Sequence, residues 1–96
     1  MEEINEQSNQ VQEIINIGND PVMLTATEVL AKLMIKNEII LKARGQSIPN
    51  AVAVANIITG TMATGVYKIE KIKLDTVAEA GIGNMTSTVE IIINKN

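Results

Sequence analysis

Lys42 and Arg44 stand two residues apart in the run Lys-Ala-Arg-Gly-Gln-Ser (42–47), which ends at a glycine and a serine able to start a helix. Side chains alternate along a strand, so the two cations share a face. A helix beginning near Ser47 directs free backbone N–H groups and its positive dipole end toward the same place. Such a cluster is a small anion site, and phosphate is the anion it meets most often. Lys71 and Lys73 form a second basic pair, either ordinary outward strand residues or the cationic base of a binding arm. Acid–base and metal chemistry find little support. With no His and no Cys, histidine bases, cysteine nucleophiles, disulfides and imidazole or thiolate metal sites are all excluded. The remaining candidates, Lys42, Asp20, Asp75 and the glutamates, show no paired spacing for proton transfer, so no enzymatic activity, metal or cofactor is expected.

The elements that must position these cations are built from 96 residues, enough for one domain. Apolar residues make up 46%, sufficient for a core, although chains of this size often gain stability by oligomerising. Tyr67 is the only ring, which excludes an aromatic platform for stacking bases. Net charge is −3, unevenly placed. Glu2, Glu3, Glu6 and Glu13 precede any cation, leaving eight cations against seven carboxylates in the remainder. A nearly neutral domain binds phosphate only where its few cations converge. Residues 1–10 read as an acidic, disordered tail and 11–96 as a single domain. No signal peptide or membrane-spanning run is visible, and a chain without cysteine tolerates the cytoplasm. Neither a membrane nor a small-molecule substrate is expected as a partner.

Val11 to Ile17 alternates loosely as a first strand, stopped by Gly18-Asn19-Asp20-Pro21. Asp20 reads as a helix N-cap with Pro21 at the first helical position. Val22, Ala26, Val29, Leu30, Leu33 and Met34 then follow helical spacing to Lys36, with Glu28, Lys32 and Lys36 on the opposite side. Glu38 to Arg44 is a β-branched strand, and strand–helix–strand order predicts parallel pairing. A second helix is expected from Ser47 to Ala63, Pro49 being tolerated in its first turn. Two more strands follow, Val66 to Thr76 and Met85 to Asn94. In the former, Tyr67 and Ile69 fall out of phase with Ile72 and Leu74, which a bulge near Glu70-Lys71 would repair. In the latter, Val89, Ile91 and Ile93 read as inward, with Thr86, Thr88 and Glu90 outward. The predicted fold is α+β: a two-layer βαβαββ sandwich with two helices on one four-stranded mixed sheet, ending in an extended β3–β4 hairpin.

From Gly45 to Tyr67 there is no charged residue, and Ala51-Val-Ala-Val-Ala55 is apolar on every side of a helix. A helix on the surface of a two-layer domain should show one polar face. Burial on two sides predicts a homodimer, with Val54, Ile57, Ile58 and Met62 at the interface.

Three stretches give the chain a family resemblance: Ile17-Gly18-x-x-Pro21-Val22-Met23, Lys42-Ala43-Arg44-Gly45 followed by Ile48 and Ala51-Val52, and Ser87-Thr88-Val89-Glu90-Ile91. In this order and at this spacing they resemble the Alba proteins, small nucleic-acid-binding chromatin proteins of archaea, over residues 11–95. The resemblance implies a βαβαββ domain like the C-terminal domain of a translation initiation factor, assembled as a homodimer. It implies a body resting on a duplex backbone of DNA or RNA and two hairpin arms along a groove. The body contacts it implies are Asn19 and Asp20, then Lys42, Arg44, Gln46 and Asn50; the arms are roughly residues 71–85, with Lys71 and Lys73.

The departures from the family pattern matter as much. A lysine pair usual in the family, one member of which is its acetylation target, is Asn19-Asp20 here, so that regulation has no residue to act on. A second arginine is replaced by Gln46 and a basic helix position by Asn50. A stretch usually Arg-Asn-Arg-Phe is Thr59-Gly60-Thr61-Met62, which removes the ring that supports contacts between neighbouring dimers. The hairpin tip, residues 78–84, has no cation. The expectation is a non-enzymatic, chromosome-associated homodimer that binds nucleic acid more weakly or more selectively than basic relatives. The rival is a protein-interaction module of the same fold that has lost most of that binding.

Overall fold

A computed structural model describes residues 13–78 and 85–96. The expected tail over 1–10, the start of the first strand and most of the hairpin tip lie outside the described residues. The elements are β1 (Glu13–Asn16), α1 (Val22–Lys36), β2 (Glu38–Arg44), α2 (Ile48–Ile57), β3 (Tyr67–Ala78) and β4 (Met85–Lys95). They form one four-stranded sheet of order β1-β2-β4-β3. β1 and β2 are parallel, as the strand–helix–strand order predicts, and the other pairings are antiparallel. The α+β, two-layer reading of the sequence is the fold observed.

The first helix begins differently from expectation. Pro21 occupies the cap position with extended backbone, and no side chain caps the helix. The Pro21 carbonyl accepts the first helical bond from the Thr25 N–H at 3.1 Å. Asp20 therefore stands one residue too early to cap, and Pro21 lies before the helix rather than inside it. Ala26, Val29 and Leu33 form the fully buried stripe, while Met34 is 72% exposed and does not join the core. At the other end Asn37 adopts the left-handed conformation and its N–H donates to the Leu33 carbonyl at 2.9 Å. Asparagine is the residue other than glycine that tolerates this closure best.

β2 spans the predicted residues and runs straight into Gly45, whose φ of 55° turns the chain out of the sheet. Gly45–Ser47 is a single 3₁₀ turn, and α2 starts only at Ile48, with Pro49 in its first turn. Ser47 already has helical backbone and makes no cap bond, so the serine start expected from sequence is not used. Nor is the second helix uniform: Ile58–Met62 widens into a π turn, closed by the Ala63 N–H on the Ile58 carbonyl at 2.9 Å. Gly60 weakens the ladder there, and the Thr59 hydroxyl donates back to the Ala55 carbonyl at 2.9 Å.

The bulge is where the alternation places it. Register between β3 and β4 shifts between Ile69 and Lys71, leaving Glu70 as the extra residue. Ile72 then stands opposite Ile91, and Leu74 opposite Val89, back on the helix side. Both helices pack on that side. The core joins Val29 and Leu33 of α1 and Val54 of α2 to Ile39, Leu41, Val89, Ile91 and Ile93 of the sheet, with Ile58 alongside. Tyr67, the sole ring, is buried in the same cluster at 7% exposure, so it offers no stacking surface. No described helix is long and apolar enough to cross a membrane.

Candidate nucleic-acid interface

With Leu41 and Ala43 turned to the helices, the β2 alternation sends Lys42 and Arg44 to the opposite, open face of the sheet. Directly paired residues on neighbouring strands share a face, so the register extends this surface in rows. One row is Asn16, Lys42, Glu90 and Lys73. The next toward the hairpin tip is Arg44, Thr88 and Asp75. On the other side lie Ile14, Ile40, Ile92 and Lys71, and then Glu38, Asn94 and Lys68. Five of the chain's eight cations therefore occupy one face: Lys42, Arg44, Lys68, Lys71 and Lys73.

Carboxylates are interleaved among them. Lys42 Nζ lies 3.5 Å from Glu90 Oε2, and the register sets Lys73 on the other flank of Glu90. Both side chains of the Lys42–Glu90 pair keep a third or more of their exposure, so solvent screens the attraction and it contributes little stability. Its effect is on the surface potential, which it flattens where the two cations alone would attract phosphate. Lys68 Nζ is 3.6 Å from Glu70 Oε1, and the Asn94 amide donates to Glu70 at 3.3 Å and to Glu38 at 3.5 Å. In the outer row the Asp75 carboxylate accepts the Thr76 N–H at 2.8 Å.

A cavity of about 430 Å³ opens where β1 and β2 end. It is lined by Asn16 and Ile17 at the end of β1, by Lys42, Ala43 and Arg44 of β2, and by Thr88, Val89 and Glu90 of β4. The residues of the α2 first turn are not part of this lining. α2 packs on the other side of the sheet, so the cavity is bordered by the β2 cations without the start of that helix.

The other expected contacts separate into two groups. Asn19 and Asp20 are exposed in the loop between β1 and α1, and Gln46 is exposed in the 3₁₀ turn. Asn50 is half-buried and donates its amide to the Gly18 carbonyl at 2.8 Å, which ties the start of α2 to that loop. It acts as a tether for Asn19 and Asp20. The Ile17 N–H donates to the Lys42 carbonyl at 2.7 Å, holding the same loop beside β2. Lys71 and Lys73 share the open face beyond the bulge, two strands from Lys42. Of the four residues expected at a dimer interface, Val54 and Ile58 are fully buried in the protomer's own core and have no surface for a partner. Ile57 and Met62 are only partly buried against that core. Sequence reasoning missed Asn16, Thr88 and Glu90 as neighbours of Lys42 and Arg44. The outward phase of Thr88 and Glu90 was readable, but the strand they would face was not.

Two helices on one face of a β1-β2-β4-β3 sheet, with the cations gathered on the other face, define a small two-layer α+β protein with an open sheet surface. A family model described as Alba matches residues 13–76, and the chain belongs to the Alba family. It is 34% identical over 92 residues to the DNA/RNA-binding protein Alba of Nitrosopumilus maritimus, covering 93% of this chain and 97% of that one. Among solved structures it is similar to Alba from Thermoplasma volcanium, at 34% identity and a TM-score of 0.74, over 85% of this chain and 99% of that chain. ALBA1 from Trypanosoma brucei shares the fold at 17% identity, with a TM-score of 0.69 over 88% of this chain and 69% of that one.

Proposed function

We propose that the protein is a non-enzymatic, homodimeric binder of DNA or RNA, associated with the chromosome in the cytoplasm. The observation that carries this reading is the gathering of Lys42, Arg44, Lys71 and Lys73 on the one sheet face that no described helix covers. The Nitrosopumilus relative, named a DNA/RNA-binding protein, supports it. Phosphates are held by Lys42 and Arg44, with Asn19 donating a hydrogen bond from the adjacent loop and Gln46 at the turn. Lys71 and Lys73 carry the contact out along the hairpin toward a groove. Asp20 and Glu90 oppose phosphate at close range, so binding is weaker, and more dependent on nucleic-acid shape, than an all-basic face would give.

Pairing with a second copy is supported by the helix-side surface of the hairpin. Ile72, Leu74 and Met85 are 53%, 77% and 68% exposed there, an apolar surface that continues the core beyond the reach of either helix. Ile57 and Met62 are the α2-side residues left for the same partner.

The protein-interaction module remains a second reading, favoured by one observation: Glu90 lies between Lys42 and Lys73 in the register. Gel retardation at low salt separates the two. The Lys42→Ala, Arg44→Ala double variant should keep its circular dichroism spectrum and lose duplex affinity by tenfold or more, on the order of a kilocalorie per phosphate contact. Equal binding by the folded variant defeats the nucleic-acid role of these residues, and no retardation of any duplex or structured RNA by the unaltered protein supports the interaction module.

A further inference from the structure

A phosphate resting on a flat basic surface needs no cavity, yet Lys42 and Arg44 border one of about 430 Å³. That volume falls within the roughly 300–1,000 Å³ typical of small-molecule sites. Phosphate is held there only weakly, because the Glu90 carboxylate lies 3.5 Å from the Lys42 ammonium and opposes a second anion, so a neutral group that meets both partners is the better occupant. The suitable occupant is a neutral ring whose edge offers N–H donors beside an acceptor. Glu90 can only accept hydrogen bonds and Lys42 can only donate them. Asn16 and Thr88, in the same lining, add an amide and a hydroxyl.

We propose that this cavity holds one unpaired guanine of a single-stranded RNA segment. The inference rests on the nucleic-acid reading above and names the ligand of that same face. Guanine is the base whose Watson–Crick edge presents two adjacent N–H donors next to a carbonyl acceptor. The Glu90 carboxylate takes the N1–H and N2–H pair, and the Lys42 ammonium takes O6. Adenine, cytosine and uracil each lack the second neighbouring donor, so one carboxylate oxygen is left without its hydrogen bond. The edge is accessible only when the base is unpaired, as in the loops and ends through which RNA sequence is read. With the only ring buried in the core, Arg44 supplies what an aromatic platform otherwise would: a planar cation able to lie against the base or meet its phosphate.

The test is fluorescence anisotropy at low salt with oligouridine strands carrying one central guanosine, inosine or adenosine, alongside a duplex DNA of equal length. The guanosine strand should bind on the order of tenfold more tightly than the adenosine strand, and inosine, which lacks the 2-amino group, should fall between them. Glu90→Gln should erase the difference between guanosine and adenosine while duplex binding holds or strengthens. The inosine comparison uses the unaltered protein, so it decides the matter even if Glu90→Gln fails to fold. Equal affinity for guanosine and adenosine strands, with duplex binding intact, overturns the guanine site alone. Loss of binding to every nucleic acid overturns the broader reading with it. A titration with free GMP distinguishes the two sources of the ring: saturable binding extends the site to the mononucleotide, and none assigns it to guanine within a strand.

Discussion

At the scale of single residues, the turn from β2 into α2 depends on Gly45. Its φ of 55° lies in the left-handed region, yet a Cβ built there meets nothing within 4 Å. The requirement is conformational and not steric. Gly45→Ala should therefore destabilise the fold by roughly 1–2 kcal/mol, the cost of the left-handed backbone for an L-residue. Urea denaturation measures it, and an unchanged midpoint would show that the turn relaxes to a helical backbone at no cost. Glu90 is the other decisive residue. One carboxylate between Lys42 and Lys73 changes the surface from a simple phosphate cradle to one that presents donors and acceptors side by side.

Among the elements, α2 shows how local pattern and packing diverge. Its apolar residues lie on every side of the helix, which reads as two buried faces. Within the protomer, Ala51, Val54 and Ala55 already face the sheet, and Ile58 continues that face through the π turn. Ile58→Ala should cost about 2–5 kcal/mol, as a large aliphatic side chain removed from a filled core does. The loss belongs to the protomer, so it should be the same at low and high protein concentration. A loss that shrinks as concentration rises would return Ile58 to an interface between copies. The bulge at Glu70 has a comparable effect on β3. By restoring the phase of Ile72 and Leu74 it also turns Lys71 and Lys73 together onto the open face.

For the whole molecule, the hairpin extends its helix-side surface past both helices, leaving Leu74 three-quarters exposed. Continuous apolar surface of this kind marks an interaction site. A dimer built on it would double the cations presented to one nucleic acid. Four to six phosphate contacts give a slope of log affinity against log salt on the order of −4 to −5, since each contributes about −0.9 on duplex DNA. Leu74→Asp should shift the sedimenting species to a monomer and reduce that slope by about half. A dimer that survives Leu74→Asp would place the contact elsewhere on the molecule.

Much of the architecture was legible in the chain because it follows from periods in the sequence. The stripe of Ala26, Val29 and Leu33 fixed α1, the run from Glu38 to Arg44 fixed β2, and the broken alternation in β3 located the bulge. Period-two alternation also determined that Lys42 shares a face with Arg44, and Lys71 with Lys73. Helix ends were read less well, since capping depends on backbone geometry over one or two residues: Pro21 displaced Asp20, and a 3₁₀ turn displaced Ser47. The neighbours of the cations were decided by the tertiary structure alone. Glu90 reaches Lys42 across 48 positions of sequence because β4 inserts between β2 and β3. Strand order is a property of the assembled sheet, set by which apolar faces pack together, and no local pattern around either residue encodes it.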